Sequence, residues 1–140
     1  MLIEKEVKWS MAHRLMHHKE LCQNIHGHTY KAVIGIESSV NMTTGMVMDF
    51  RDLKNKIKEV IDDLDHCIMV NKDDVFLVKM LHELATKVCN KLKYRISDGE
   101  PTAENTAKYI YLNLDVLDVA YVKVYETPTS SATYAGDENE

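Results

Sequence analysis

The sequence predicts an α+β domain in which a mainly antiparallel sheet carries its helices on one face. Two hydrophobic periods support this prediction. A period of two residues is typical of half-buried strands, and it covers residues 2–13, 26–38 and 119–126. A period of ~3.6 residues is typical of amphipathic helices, and it covers residues 50–64, 77–92 and 103–114.

The chain is long enough for one domain with a sizeable core. Its 140 residues include 45% hydrophobic and 28% charged side chains, which is ordinary for a soluble globular protein. No internal repeat or Gly/Ser-rich linker divides it. We therefore expect one domain over residues 1–136 and a disordered acidic tail over residues 137–140.

Composition also disfavours several classes of partner and location. The net charge of −5 argues against a nucleic-acid or anionic-membrane partner. No apolar run approaches the ~20 residues of a membrane span, and the N-terminal sequence MLIEKEVKW lacks the apolar segment of a signal peptide. Three cysteines without a short repeated spacing argue for a reducing compartment, so we expect a cytoplasmic protein.

The first two predicted strands place histidines on their apolar faces. The apolar side chains of the first strand occupy odd positions, and His13 continues that face. In the second strand, His26 and His28 lie on the same side, ~7 Å apart along the backbone. Three imidazoles on one side of a sheet suit a zinc ion with an open fourth position. The alternative is that each is a hydrogen-bonded interior histidine.

Cys22 precedes this pair in the stretch CQNIHGHTY, within the loop between the two strands. It is not part of a CxxC, so a structural zinc knuckle is not expected. A thiolate beside a metal ion and imidazoles would have a lowered pKa and would serve as a base or nucleophile. The alternative is an ordinary loop cysteine. Cys67 and Cys89 are expected to fill the core.

The first predicted helix begins after Asp49, a suitable N-cap, and ends at Asp65-His66. An aspartate beside a histidine can tune proton transfer. The alternative is a solvated helix end.

A short strand over residues 94–97 precedes the third helix, which Thr102 caps. In the last strand, Glu126 continues the apolar face. A carboxylate there is costly without a partner, and the N–H donors of a ligand would satisfy it. The alternative is an exposed strand end.

Six sequence motifs occur in the order typical of one enzyme family. They are WSMAHRL, CQNIHGHTY, GMVMDFRDLK, LDHCIMVN, PTAENTAKYI and VKVYETPTSSATY. They resemble the 6-pyruvoyltetrahydropterin synthase / 6-carboxytetrahydropterin synthase family, and the resemblance covers residues 3 to about 134. The spacing from Cys22 to the His-Gly-His is closest to that of the bacterial queuosine-pathway type.

The resemblance implies a role for each matching residue, including a cysteine that is kept off the metal. Glu104 is also typical of the family, but no role is assigned to it. The implied roles are zinc ligands for His13, His26 and His28, catalytic cysteine for Cys22, proton-relay pair for Asp65 and His66, and pterin-ring anchor for Glu126.

The implied fold is a tunnelling fold. Protomers of ββααββ type assemble into a trimeric barrel, often paired as a hexamer, with sites between the subunits. The predicted helix at residues 77–92 is an elaboration, since the shortest family members have much less chain in this region.

The implied activity is that of a zinc-dependent lyase that acts on 7,8-dihydroneopterin triphosphate. We expect 6-carboxy-5,6,7,8-tetrahydropterin, acetaldehyde and triphosphate as products, in queuosine biosynthesis. One alternative is a 6-pyruvoyltetrahydropterin synthase, which eliminates triphosphate without cleaving a carbon–carbon bond, and another is a non-catalytic zinc- or pterin-binding homologue. Arg14, Lys31 and Lys123 are candidates for holding the phosphates.

Overall fold

The computed structural model describes residues 1–136, so the acidic tail predicted at residues 137–140 lies outside the described residues. The chain forms one six-stranded sheet with the strand order β4-β3-β1-β2-β5-β6. The strands are β1 (Leu2–His13), β2 (His26–Glu37), β3 (Cys67–Asn71), β4 (Tyr94–Ser97), β5 (Val119–Thr127) and β6 (Ser130–Tyr134). The helices are α1 (Phe50–Leu64), α2 (Val75–Glu83) and α3 (Ala103–Asn113).

Strands β1 and β2 form the centre of the sheet. They pair antiparallel along their whole length, from Leu2 opposite Glu37 to His13 opposite His26. Trp9 lies opposite Tyr30, and the two rings stack with centroids 5.3 Å apart on the buried face. This register places the ends of β1 and β2 that carry histidines side by side.

The α+β class is confirmed, but the sheet is mixed rather than antiparallel throughout. Strand β3 runs parallel to β1, and β4 runs parallel to β3. The sequence reading missed β3 because CIMVN shows no alternation of apolar and polar residues. Four of its five residues are buried, as expected for a strand that is covered on both faces.

Helices α1 and α3 pack on the same face of the sheet, as predicted. The carboxylate of Asp49 accepts the N–H of Arg51 at the start of α1, and the hydroxyl of Thr102 accepts the N–H of Asn105 at the start of α3. Both helices contribute to the main core, in which Trp9, Met11 and Met69 of the sheet also lie. Their core residues are Leu53, Ile57, Val60, Ile61 and Leu64 of α1 and Ala107 and Ile110 of α3.

Helix α2 lies on the opposite face, which corrects the prediction of helices on one face only. Leu77 and Leu81 of α2 pack with Val70 in a separate cluster, whereas the neighbouring Met69 belongs to the main core. Successive residues of a strand face opposite sides, so α2 covers the other side of β3.

The predicted helix over residues 77–92 is also shorter than expected. A π-helical turn at Leu84–Val88 follows α2, and Val88 and Cys89 are exposed. The prediction that Cys89 fills the core is therefore wrong, because the helical register on which it rested ends before that residue. Cys67 is buried, as predicted. Among the described residues, no helix has the length and apolar character to cross a membrane.

Candidate metal centre

Three imidazoles meet at the end of the β1–β2 ladder. His13 is the last residue of β1 and lies directly opposite His26, the first residue of β2, while His28 follows on the same face. The three ring centroids are 4.6, 5.2 and 5.0 Å apart in pairs. One nitrogen from each ring lies within 4.8 Å of the other two. The strand pairing therefore brings together the three histidines that the sequence singled out.

Backbone carbonyls fix the tautomers of two of these rings. Nδ1 of His13 lies 2.6 Å from the carbonyl oxygen of Pro101, and Nδ1 of His26 lies 2.7 Å from that of Asn24. A carbonyl only accepts, so both Nδ1 atoms must carry a proton and donate. In the neutral rings, both Nε2 atoms then present lone pairs.

These two Nε2 atoms face each other at a distance of 3.1 Å. Two lone pairs at this distance repel, so the arrangement calls for a proton or a metal cation between the nitrogens. Nitrogens that each lie ~2.0–2.1 Å from one tetrahedral zinc ion are roughly 3.3 Å apart. The spacing of the two rings thus fits a zinc ion.

Burial reinforces the neutral state that metal binding requires. His13 is 1% exposed, and its burial lowers its pKa, although the carbonyl of Pro101 and the charge of Glu126 act in the opposite direction. Nε2 of His28 is buried and has no hydrogen-bond partner among the described residues. A buried nitrogen without a partner is costly, and coordination to a metal would satisfy it.

Glu126 lies beside the three imidazoles. Its carboxylate oxygens are 4.0 Å from Nε2 of His13 and 3.8 Å from Nε2 of His28, beyond hydrogen-bond distance. The β2–β5 ladder ends at the pair Lys31–Tyr125, so the two strands are no longer paired next to His28 and Glu126. A cavity of ≈ 490 Å³ opens at this point, lined by His28, Lys31 and Glu126 among others. Glu126 thus borders both the imidazole cluster and this cavity.

Asp65 and His66 are tied to the backbone of β1. The N–H of Ser10 donates to the carboxylate of Asp65 (3.0 Å), and the N–H of His66 donates to the carbonyl of Ser10 (2.7 Å). The bond from Ser10 is the main reason that the pKa of Asp65 is lowered, and the His66 ring, with Nδ1 3.0 Å from the carboxylate, adds to the effect. Asp65 thus stays ionised and orients the ring.

The ring of His66 is presented to solvent from an unusual backbone conformation. His66 has a φ of 61°, which is uncommon for a residue with a side chain. Its side chain is 81% exposed, and it lines a cavity of ≈ 420 Å³ that His28 also lines. The ring of His66 therefore lies on the open face of the sheet, whereas the three imidazoles lie on the buried face of β1 and β2, and His28 borders the cavity between them.

Cys22 lies in a 3₁₀ turn, Leu21–Gln23, within the loop between β1 and β2. It is half-buried, and its carbonyl accepts the N–H of Leu15. Among the described residues, the potential metal-binding group contains the three histidines without a cysteine. The role of Cys22 as a cysteine held off the metal stays a prediction.

The three residues predicted to hold the phosphates differ in the contacts that they make. Nε of Arg14 lies 2.8 Å from the buried carboxylate of Asp74, so this guanidinium is already paired. The ammonium of Lys31 lies 4.3 Å from the centroid of the Tyr125 ring and lines the cavity beside Glu126. Lys123 packs against the same ring at 5.1 Å.

Three further residues at the site were not identified from the sequence. Lys8 lies directly opposite Lys31 and lines the same cavity, a placement that follows only from the strand register. Pro101 contributes a backbone oxygen, for which side-chain identity carries no signal. The hydroxyl of Tyr30 is 3.3 Å from Nδ1 of His13, and its position on the histidine face of β2 was the available clue.

Comparison with known proteins identifies the relatives of the chain as a whole. The family described as 6-pyruvoyl tetrahydropterin synthase matches residues 2–137. A 6-carboxy-5,6,7,8-tetrahydropterin synthase of Haemophilus influenzae is 34% identical over 142 aligned residues, which cover 94% of this chain and 96% of the relative. The protein of the same name from Rickettsia conorii is 31% identical, with 89% and 92% covered.

Solved structures agree at the level of the fold. The 6-pyruvoyl tetrahydropterin synthase of Caenorhabditis elegans aligns with a TM-score of 0.70 and 26% identity, over 98% of this chain and 96% of that one. An uncharacterized protein from Wolinella succinogenes aligns with a TM-score of 0.79 and 22% identity, over 98% of both chains. The fold implied by the six motifs is thus confirmed for one protomer, while its assembly into a barrel stays a prediction.

Proposed function

Because the chain belongs to the 6-pyruvoyl tetrahydropterin synthase family, we propose that it is a 6-carboxy-5,6,7,8-tetrahydropterin synthase. Relatives from several bacteria carry this name, and their match extends over most of the chain. The reaction would convert 7,8-dihydroneopterin triphosphate to 6-carboxytetrahydropterin, acetaldehyde and triphosphate. The observation that carries the proposal is the pair of facing Nε2 atoms of His13 and His26, 3.1 Å apart, with His28 beside them.

We assign His13, His26 and His28 as the ligands of a zinc ion. Three imidazoles that leave one coordination position open are typical of catalytic rather than structural zinc. When bound, zinc would polarise the hydroxyl oxygens of the substrate side chain and lower their pKa.

The chain's own residues would hold the substrate and move its protons. Glu126 would accept N–H donors of the pterin ring, since its carboxylate borders the cavity without a hydrogen bond to either imidazole. Cys22 would act as the base on one face of the substrate side chain. His66, which the ionised Asp65 orients, would serve as acid or base on the other face.

Lys8 and Lys31 would meet the phosphates. Both line the cavity that His28 and Glu126 also line, and both lie on the open face of the sheet. The chain as a whole carries a net charge of −5, so local cations must offset the charge of a triphosphate. Arg14 is the weaker candidate, because the buried carboxylate of Asp74 lies 2.8 Å from its Nε, whereas the exposed carboxylate of Glu6 lies 3.7 Å from the ammonium of Lys31.

The proposal includes an oligomer of the barrel type, with residues 1–136 as one synthase domain. The 81% exposure of the His66 side chain supports it, because an acid–base residue works best where a neighbouring subunit excludes water. A reducing, cytoplasmic setting is also part of the proposal, and three free cysteines support it.

Two other functions remain as outcomes of the tests. One is 6-pyruvoyltetrahydropterin synthesis, which the likeness to the C. elegans enzyme favours. The other is a non-catalytic pterin-binding homologue, against which the presence of Cys22, Asp65 and His66 argues.

Metal analysis tests the proposal at its foundation. We expect one zinc ion per chain in the wild-type protein, loss of zinc in His28→Ala, and full zinc in the control His82→Ala, which alters an exposed histidine of α2. Zinc-loaded wild-type protein should consume 7,8-dihydroneopterin triphosphate. Equal zinc in all three proteins, or a zinc-loaded protein that leaves the substrate intact, would contradict the proposal.

A further inference from the structure

The carboxylate of Glu100 connects two distant segments of the chain. One oxygen accepts the side-chain amide of Asn71 at 2.7 Å, and the other accepts the backbone N–H of His17 at 3.3 Å. The next residue, Pro101, is the one whose carbonyl accepts from His13. Glu100 thus adjoins the contact that sets the tautomer of one proposed metal ligand.

The amide of Asn71 is fixed in its orientation. Its oxygen accepts the N–H of Asp73 at 3.0 Å, so its nitrogen must face Glu100. Asn71 is 3% exposed, and leaving its amide without an acceptor would carry a desolvation cost. The contact between Asn71 and Glu100 is therefore a specific one.

The turn at residues 71–74 supports both sides of the His13–Pro101 hydrogen bond. Asp74 pairs with Arg14, the residue after His13, and Asn71 pairs with Glu100, the residue before Pro101. The N–H of Asp74 donates to the carbonyl of Asn71, which closes the turn. One hydrogen-bonded turn thereby contacts the neighbours of both the donor and the acceptor of this bond.

We propose that Glu100 is a positioning residue of the metal centre, which holds the Pro101 carbonyl against Nδ1 of His13. This inference rests on the metal site of the proposed function. Its contact with the N–H of His17 also anchors the loop that carries Cys22, since Leu15 of the same loop binds the carbonyl of Cys22. Glu100 acts through length and acceptor geometry rather than through its charge.

Two substitutions of Glu100 distinguish the effect of side-chain length from the effect of side-chain charge. Glu100→Gln keeps the length and one oxygen acceptor for Asn71, whereas Glu100→Asp keeps the charge and shortens the side chain by one methylene. Asp98→Asn is the matched control, because Asp98 lies two residues away, is exposed and pairs with exposed Lys72 on the surface.

Histidine tautomers in the metal-free protein provide the first readout. Two-dimensional ¹⁵N–¹H NMR should show His13 as the Nδ1–H tautomer in the wild-type, Glu100→Gln and Asp98→Asn proteins. We expect a mixture of tautomers in Glu100→Asp. A wild-type tautomer in folded Glu100→Asp would overturn the proposal.

The second readout is the affinity for Co²⁺, measured by chelator competition and by the visible absorption of the bound ion. Loss of a partner that orients a metal ligand typically weakens metal binding ~10–100-fold, and we expect about a tenfold loss in Glu100→Asp. Weak binding by Glu100→Gln with tight binding by Glu100→Asp would indicate a charge effect and overturn the proposal. If the wild-type protein binds no Co²⁺, the proposed function fails, and the tautomer measurement still decides the role of Glu100.

Discussion

Neutralising Glu126 probes the proposed anchor of the pterin ring. Glu126→Gln replaces one oxygen by nitrogen and removes a negative charge with almost no change of shape. The carboxylate is 29% exposed and lies 3.8–4.0 Å from two imidazole nitrogens, so no hydrogen bond to them is lost. The expected effect therefore falls on a ligand in the cavity rather than on the fold.

The size of the effect follows from the loss of charge in a hydrogen bond. A hydrogen bond to a charged group contributes ~1.5–3 kcal/mol, against ~0.5–1.5 kcal/mol for a neutral pair. The difference of ~1–2 kcal/mol corresponds to a roughly 5- to 30-fold weaker affinity. The Glu126→Gln protein should keep the thermal stability of the wild type.

Calorimetry with a pterin that lacks the triphosphate provides the assay, and zinc content is measured on the same samples. Glu37→Gln, at the exposed far end of β2, is the matched control and should bind as the wild type does. Unchanged affinity in zinc-loaded Glu126→Gln would remove Glu126 from the pterin site. Loss of zinc would show instead that the carboxylate supports the metal.

Three further predictions address the remaining roles. Cys22→Ala should keep zinc and pterin binding but lose ~10²–10⁴-fold in turnover. The control Cys89→Ala, at an exposed position, should keep full turnover. Loss of zinc from Cys22→Ala would show instead that the cysteine is a metal ligand. Lys31→Ala should weaken binding of the triphosphate substrate about tenfold or more, which is the scale of a charged hydrogen bond. The affinity for a phosphate-free pterin should not change. Equal losses of affinity for both ligands would contradict a phosphate role. Burial raises the pKa of Cys67 to about 11, so iodoacetamide at neutral pH should label Cys89 and leave Cys67 unmodified in the native protein, as mass spectrometry would show. Rapid labelling of native Cys67 would refute this burial argument.

The sequence was most informative where periodicity and chemistry coincide. The alternation in β1 and β2 placed His13, His26 and His28 on one buried face, and the antiparallel register of the two strands brings them together. Helix α1 was equally clear, because an N-cap and a regular apolar stripe agree. Phe50, the first residue of the helix, does not share the burial of this stripe, since it is 53% exposed.

Long-range pairing explains what the sequence did not reveal. Strand β3 is short and covered on both faces, so its apolar run carries no period, and the position of α2 depends on that strand. The contact between His13 and Pro101 spans 88 residues and involves a backbone oxygen. The pairing of Lys8 with Lys31 likewise depends on register and not on either residue's neighbours in sequence.

Product analysis tests the central claim most directly. Zinc-loaded protein is incubated anaerobically with 7,8-dihydroneopterin triphosphate, and aldehydes are trapped. The mass of the pterin product is then determined by mass spectrometry. A 6-carboxy-5,6,7,8-tetrahydropterin synthase should release 6-carboxytetrahydropterin together with one equivalent of trapped acetaldehyde. A 6-pyruvoyl product without acetaldehyde would contradict the assignment and leave the metal centre intact, and the absence of any pterin product would favour the non-catalytic homologue.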